Sequence, residues 1–158
     1  MPVYSFVVRR AKEDDAQDIY NILQEAFKKY MADTLLHGSM EALDETVEMI
    51  KEEITTQNIF IAYINNEPVG TIRFEVDGNN EAHISRFGVR LAFHNIGIGK
   101  SLMNLIDSEI KELGIKKAYL FSASQYTELI KFYYGRGFFI ESTSSSKGYI
   151  RAKLVKFY

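Results

Sequence analysis

A glycine-containing stretch between an apolar segment and a helical pattern is the part of this sequence best suited to binding a ligand. It spans residues 94–100 and carries Gly97 and Gly99, with Lys100 and Ser101 directly after them. Because glycine has no Cβ, backbone N–H groups here can approach a ligand closely, and the N-terminus of the following helix attracts negative charge. The stretch therefore predicts a cradle for a phosphate or pyrophosphate group. The alternative is a tight strand-to-helix connection in which both glycines serve backbone geometry alone.

Two better-known glycine motifs do not fit this stretch. A dinucleotide-binding fold needs G-x-G-x-x-G and an acidic residue about 20 positions later, and a P-loop needs G-x-x-x-x-G-K before serine or threonine. The chain also has no cysteine, which excludes disulfides, thiolate metal sites and a cysteine nucleophile. His37, His83 and His94 are widely separated in the sequence, so we expect no metal site.

The length, composition and net charge of the chain limit the kinds of protein that it can be. The chain of 158 residues is 46% hydrophobic and 25% charged, as in an ordinary globular domain. A chain of this length supports one core, so we expect a single domain over residues 1–158. A formal net charge of -2 disfavours nucleic acid as a partner. The N-terminal residues lack a signal-peptide pattern and no apolar run reaches about 18 residues, so we expect a cytoplasmic protein with no membrane partner.

Hydrophobic periodicity predicts four helices and seven strands. Apolar residues at helical spacing run from Ile19 to Tyr30, from Leu43 to Ile54, from about Lys100 to Leu113 with Gly114 as the stop, and from Tyr126 to Tyr134. Alternating or β-branched segments predict strands at Tyr4–Arg9, Ile59–Ile64, Val69–Val76, Ala82–Val89, Lys117–Ala123, Phe138–Glu141 and Tyr149–Phe157. A polar run over 142–146 is expected to form a surface turn between the last two strands.

These elements follow the order β-α-α-β-β-β-α-β-α-β-β. The strand–helix–strand unit over residues 82–123 implies a parallel pair with a right-handed crossover among antiparallel strands. We therefore expect a mixed α/β fold, with a central mixed sheet flanked by helices. Alternation along the strand before the glycine stretch places four side chains on one face, those of His83, Ser85, Phe87 and Val89.

The glycine stretch resembles the pyrophosphate loop of the GCN5-related N-acetyltransferase (GNAT) superfamily, usually written R/Q-x-x-G-x-G/A. His94 stands at the first position, where the family has arginine or glutamine, and Asn95 stands where glycine is common. Residues 132–138 are similar to the family's late FYxxxGF segment, and Val89 lies where its fourth strand ends. The order of elements also resembles that superfamily, so the resemblance covers nearly the whole chain. Tyr126 and Leu129 depart from the asparagine and alanine that are frequent in the helix carrying FYxxxGF.

The resemblance implies a GNAT fold and direct transfer of an acetyl group from acetyl-CoA to a primary amine in a ternary complex. In that family the fourth strand separates from its parallel neighbour near Val89, and the exposed backbone pairs with the pantetheine arm. The residues that the resemblance assigns to cofactor binding are Phe87, Gly88, Val89, His94, Asn95, Ile96, Gly97, Ile98, Gly99 and Lys100. An imidazole at position 94 is expected to bind the pyrophosphate better when it is protonated.

Tyr133 matches the family's tyrosine that protonates the departing thiolate, and a phenol is a suitable general acid for such a leaving group. Its spacing from Tyr126, Leu129 and Ile130 also fits a packed aromatic without a catalytic role. The general base is open: His83 is one candidate, Glu75 is another, and water is a third. A half-exposed structural histidine is an equally good interpretation of His83.

Acceptor specificity in the family usually comes from the segment that corresponds to Lys28–Met40 and from the final hairpin, which makes Tyr30, His37 and Tyr149 candidate lining residues. Arg73 and Arg86 are expected either to hold a substrate carboxylate or to form surface ion pairs. The expected acceptor is an amine of a small molecule or peptide, and a homodimer is a further candidate assembly. The competing hypotheses are a non-catalytic CoA-binding module and a phosphate or nucleotide binder unrelated to acetyl transfer.

Overall fold

The computed structural model of the protein describes residues 5–34, 40–145 and 147–158. Within them lie seven strands, β1 (Phe6–Arg10), β2 (Asn58–Ile64), β3 (Glu67–Val76), β4 (Ala82–Val89), β5 (Lys117–Ala123), β6 (Phe139–Ser144) and β7 (Arg151–Phe157). The helices are α1 (Ala16–Thr34), α2 (Glu41–Asp44), α3 (Val47–Thr56), α4 (Ile98–Glu112) and α5 (Thr127–Gly135). Tyr4, where the first strand was expected to begin, lies outside the described residues.

The strands form one mixed sheet in the order β1-β2-β3-β4-β5-β7-β6. β4 and β5 run parallel, joined by the crossover helix α4, and the other neighbouring pairs are antiparallel. The expected mixed α/β fold is therefore confirmed. None of the helices in the described ranges is long and apolar enough to cross a membrane.

Each helical layer buries the apolar face that its periodicity predicts. Helix α4 buries Leu102 and Ile106 against one face of the sheet, and α1 buries Ile19 and Ile22 against the other. Complete burial of one such side chain stabilises a fold by about 1.5–3 kcal/mol. The two layers hold the ends of β4 and β5 in place, where the glycine stretch begins.

The second predicted helix is in fact two pieces. Glu45 stands between α2 and α3 in an extended conformation, and it is buried with 3% of its surface exposed. Both of its carboxylate oxygens accept hydrogen bonds from the Arg73 guanidinium at 3.0 Å. Helix α3 then restarts with Thr46, whose hydroxyl accepts from the Met49 N–H at 3.2 Å. The break between the two helices therefore coincides with a buried ion pair between Glu45 and Arg73.

The final hairpin also differs from the prediction. Ser142, Thr143 and Ser144 belong to β6 and pair with β7, whereas β7 begins at Arg151 rather than Tyr149. Strand β6 lies at the edge of the sheet, and most of its residues are exposed. Serine-rich segments suit turns, but an exposed edge strand accepts them equally well because only its backbone needs a partner. Ser146, within the predicted turn, lies outside the described residues.

A bulge in β4 overturns the predicted alternation of its side chains. Thr71 pairs with Gly88 and Arg73 pairs with Ser85, so one residue of β3 faces two of β4. Arg86 is the extra residue of the bulge, and its φ is 52°. Phe87 and Val89 consequently pack with Ile84 in the core beneath α4, although they were expected to share a face with His83 and Ser85.

Candidate active site

A groove opens where β4 and β5 separate. The two strands pair only at Ala82 with Ala118 and at His83 with Tyr119. Beyond these pairs the end of β4 lines a groove of about 320 Å³, together with residues of α1, α4 and α5. The backbone of β4 is thus available to a ligand at the place where the resemblance to the GNAT superfamily implies a pantetheine arm.

The glycine stretch forms one end of this groove. Gly97 directly precedes α4 and has a φ of 92°, a conformation that glycine adopts without strain. Within the described residues, no hydrogen-bond acceptor is found for the backbone N–H groups of Ile96 to Lys100. Free N–H groups at the N-terminus of a helix attract anions, so the geometry is compatible with the predicted cradle, and binding of a phosphate here stays a prediction.

The two glycines serve different purposes. A Cβ at Gly97 would meet no atom within 4 Å, so Gly97 is needed for its backbone conformation. A Cβ at Gly99 would lie 3.0 Å from Cζ of Phe87 and 3.6 Å from Cζ of Phe132. Gly99 therefore lets the first turn of α4 pack closely on the aromatic floor of the groove. The tight connection stated as the alternative above is thus observed at Gly99, and it does not exclude a cradle formed by the free N–H groups.

His94 lines the groove, but its imidazole also has a partner in the protein. Its Nε2 lies 2.8 Å from the carbonyl oxygen of Val89, so Nε2 carries the proton and donates. This bond joins the end of β4 to the loop before α4. The other ring nitrogen, Nδ1, takes no part in it. The expectation that His94 faces the pyrophosphate stays a prediction.

We expect His94→Arg to keep or improve the affinity for acetyl-CoA, because a guanidinium is always charged and attracts the pyrophosphate. His94→Gln, which carries no charge, is the control and should bind acetyl-CoA less tightly than His94→Arg. Calorimetric titration of the wild type and both variants measures the three affinities. Equal affinities would show that the side chain at position 94 does not act on the phosphates.

Residues from distant segments hold the chain between β4 and the glycine stretch in place, and no local pattern indicates them. The Leu91 N–H donates to a carboxylate oxygen of Glu25 on α1 at 2.7 Å. The guanidinium of Arg90 pairs with Glu67 at 3.1 Å, and the Arg90 N–H donates to the Val69 carbonyl oxygen at 2.9 Å. The approach to the glycine stretch is thus fixed on both sides before a ligand binds.

A second cavity, of about 660 Å³, lies next to the groove. Both His83 and Tyr133 line it, so the structure brings together the two residues expected to be catalytic. The groove and the cavity share lining residues, which are Phe27, Tyr30, Phe87 and Leu129. A ligand extending along the groove from the glycine stretch can therefore meet a second ligand in the cavity.

Tyr133 is both a core residue and a cavity residue. Its side chain is 5% exposed and its ring packs against Phe132 and Phe138. Burial raises the pKa of the Tyr133 phenol, and the nearby Tyr30 adds to the rise. Among the described residues, none forms a hydrogen bond with the Tyr133 hydroxyl. The phenol is thus protonated at neutral pH and available to donate to a ligand.

His83 lies on β4 at the opposite wall. Its ring stacks on Tyr119 with centroids 4.8 Å apart, and its Nδ1 is 3.7 Å from a carboxylate oxygen of Glu75. Burial lowers the pKa of His83 below the usual value of 6.5, although Glu75 opposes this effect. His83 is therefore neutral at pH 7 and able to accept a proton. Glu75 is half-exposed and contacts His83 without lining the cavity.

The remaining candidate residues divide between the cavity and the core. Arg86, Tyr30 and Tyr149 line the cavity, and the Tyr30 hydroxyl accepts from the Ala123 N–H at 2.7 Å. Arg73 is 2% exposed and paired with Glu45 and Glu53, so it is neither a cavity residue nor part of a surface ion pair. His37 and part of the segment 28–40 lie outside the described residues. Among the residues that are described, no group of side chains is arranged to hold a metal ion.

Comparison with known proteins gives the family. The model of the Acetyltransferase (GNAT) family matches residues 16–138. No curated protein matches the sequence. The solved structures that resemble the chain include PaiA N-acetyltransferase from Thermoplasma acidophilum in complex with coenzyme A, with 21% identity over 98% of this chain and 99% of that chain and a TM-score of 0.85.

Two further solved structures are similar over nearly their whole length. Ard1 from Thermoplasma volcanium is 21% identical over 96% of this chain and 97% of its own, with a TM-score of 0.74. The ribosomal-protein-S18-alanine N-acetyltransferase from Escherichia coli is 15% identical over 97% of this chain and 94% of its own, with a TM-score of 0.71. At these identities the structures establish the fold. Because the family model spans most of the chain, the protein belongs to the GNAT family of acetyltransferases.

Proposed function

We propose that the protein transfers an acetyl group from acetyl-CoA to a primary amine, with both substrates bound at the same time. The observation that carries the proposal is the junction of groove and cavity. The groove begins at the free N–H groups of Ile96 to Lys100 and meets, at Phe87 and Leu129, the cavity that holds His83 and Tyr133.

The groove has the chemistry needed for coenzyme A. The free N–H groups and the N-terminus of α4 suit a pyrophosphate, and Lys100 adds a positive charge. The separated end of β4 offers backbone groups to an extended amide-bearing arm, while Phe87 and Leu129 give the groove apolar walls toward the cavity. This order of contacts directs a thioester toward Tyr133.

In the proposed reaction the amine nitrogen attacks the thioester carbonyl carbon, the C–N bond forms and the C–S bond breaks. The nitrogen loses one proton, which His83 accepts directly or through water. The departing sulfur gains one proton from the Tyr133 hydroxyl, and the phenolate is then reprotonated from solvent. No acyl-enzyme is required, in agreement with the lack of cysteine.

The pH profile distinguishes His83 from Glu75 as the base. A histidine base is active when neutral, so kcat/KM should decline as the pH falls through its lowered pKa, below 6.5. Glu75→Gln removes the carboxylate that favours the imidazolium, so this decline should move to lower pH. His83→Gln should abolish it. Steady-state rates of the three proteins from about pH 5 to 9 give the comparison.

Ionisation of the free amine is common to all three proteins, so differences between their profiles report the enzyme alone. If Glu75→Gln abolishes the decline and His83→Gln keeps it, Glu75 is the base. Identical profiles for all three proteins would exclude both side chains and leave water as the proton acceptor.

The proposed function itself is tested by following CoA release from acetyl-CoA with a panel of primary amines, and by confirming the acetylated product by mass spectrometry. Turnover with any acceptor supports the enzyme. Binding of acetyl-CoA without turnover of any amine would instead support a non-catalytic CoA-binding module. Equal thermal stabilisation by ATP and by CoA would support a general phosphate or nucleotide binder.

A further inference from the structure

Two arginines that line the cavity beside the groove keep free hydrogen-bond donors. Among the described residues, no hydrogen-bond acceptor is found for any nitrogen of the Arg86 and Arg151 guanidinium groups. Their Nε atoms are buried, whereas their terminal nitrogens are not among the buried atoms that lack a partner. The terminal nitrogens are therefore accessible, and they suit a ligand that supplies acceptor atoms.

The charges around the cavity also favour a ligand with negatively charged acceptor atoms. The charged side chains among its described lining residues, His83 aside, are Glu41, Arg86, Lys147 and Arg151. Three of these four are cationic. A polycationic amine would meet repulsion here, whereas an anionic group would be attracted.

Arg151 and Lys147 have no ion-pair partner in the described part of the chain. The Arg151 guanidinium lies on the face of Phe121, with Cζ 4.0 Å from the ring centroid. Arg86 has only a distant partner, because its Nε lies 3.9 Å from a Glu45 carboxylate that is already bonded twice by Arg73. The positive charges of the two arginines are thus largely available to a ligand.

We propose that the acceptor is a small primary amine that also carries a carboxylate, and that Arg86 and Arg151 bind this carboxylate. The inference rests on the proposed function and specifies its second substrate. Arginine presents a planar fork that suits the two oxygens of a carboxylate. With the carboxylate held there, the amine of a compact molecule remains within the cavity that His83 and Tyr133 line.

Matched pairs of acceptors test the proposal. Each of the common L-amino acids is compared with its carboxamide, which keeps the amine and the side chain but has no negative charge. We expect the best amino acid to exceed its carboxamide about tenfold or more in kcat/KM, measured by CoA release. The amine of a carboxamide is less basic and therefore more often unprotonated, so chemical reactivity alone favours the carboxamide and cannot produce the expected result.

Arg151→Met should remove this preference while leaving the affinity for acetyl-CoA unchanged. Arg136→Met is the matched control: the Nε of Arg136 is also buried without a partner, but Arg136 lines neither the groove nor the cavity. The control should keep the wild-type ratio of amino acid to carboxamide. Because the readout is a ratio within one protein, a modest change in stability does not affect it.

Calorimetric titration of the CoA-saturated protein with the same pairs separates this inference from the proposed function. Binding of amino acids in preference to carboxamides, lost in Arg151→Met, supports the carboxylate site even if no amine is acetylated. Turnover of carboxamides or polyamines at rates equal to or above those of amino acids overturns the inference and leaves the acetyltransferase in place. A lack of amino-acid binding and turnover alike overturns it as well.

Discussion

The Tyr133→Phe variant is expected to lose about 10²- to 10⁴-fold in kcat, the usual contribution of a general acid, while its affinity for acetyl-CoA changes far less. The substitution removes one oxygen and keeps the ring that packs against Phe132 and Phe138. Since none of the described residues bonds the Tyr133 hydroxyl, we expect the free energy of unfolding to remain nearly unchanged. Steady-state kinetics gives kcat, and chemical denaturation gives the free energy of unfolding.

Tyr158→Phe is the matched control for the loss of a phenolic hydroxyl. The Tyr158 hydroxyl donates to a carboxylate oxygen of Asp107 at 2.6 Å, outside the groove and the cavity. Hydrogen bonds to charged groups contribute about 1.5–3 kcal/mol, so this variant should lose stability and keep its kcat. Full turnover by Tyr133→Phe would remove Tyr133 from the mechanism, and water or another side chain would then protonate the thiolate.

The elements and the left-handed glycine at the start of α4 could be predicted because their signals are local. Apolar residues at helical spacing specify the buried face of α4, with Leu102 and Ile106 on it. Glycine at position 97 indicates both a left-handed residue before a helix and a close approach to a ligand. Patterns of this kind depend on a few neighbouring residues, so they can be read without knowing the rest of the fold.

The parts of the site that could not be predicted depend on pairs far apart in the chain. The bulge at Arg86 moves Phe87 to the other face of β4, and no local pattern indicates it. The break in the predicted second helix lies at Glu45, whose partner Arg73 is 28 residues away in the chain. Likewise, Arg86 and Arg151 share one cavity only because β4 and the end of the final hairpin come together there.

These long-range pairs also separate the roles of the two arginines that the sequence offered for substrate binding. Arg73 is enclosed between Glu45 and Glu53, where its charge is matched and its surroundings are dry. Arg86 lies at the bulge and lines the cavity, and among the described residues its guanidinium has only the Glu45 carboxylate as a partner, at 3.9 Å. Burying a matched pair costs less than burying one charge alone, so the buried carboxylates require Arg73 while Arg86 remains available to a ligand.

Placing a negative charge at the cradle is expected to weaken acetyl-CoA binding about a hundredfold. Two unit charges about 6 Å apart repel by about 3 kcal/mol at an effective dielectric constant of about 20. Gly97→Asp introduces such a charge beside the free N–H groups of residues 96–100, and a Cβ at this position meets no atom within 4 Å. The side chain is therefore accommodated without displacing Phe87 or Phe132, which would not hold for a substitution at Gly99.

Gly97→Asn separates the charge from the backbone effect. Asparagine and aspartate tolerate the left-handed region about equally and are comparable residues before a helix, so both variants bear the same strain at a φ of 92°. Acetyl-CoA should raise the melting temperature of Gly97→Asn nearly as much as that of the wild type, and should raise that of Gly97→Asp little or not at all. If both variants respond alike, the conformation of Gly97 matters more than its place beside the pyrophosphate. If Gly97→Asp is stabilised as strongly as the wild type, the N–H groups before and within the first turn of α4 do not hold the phosphates.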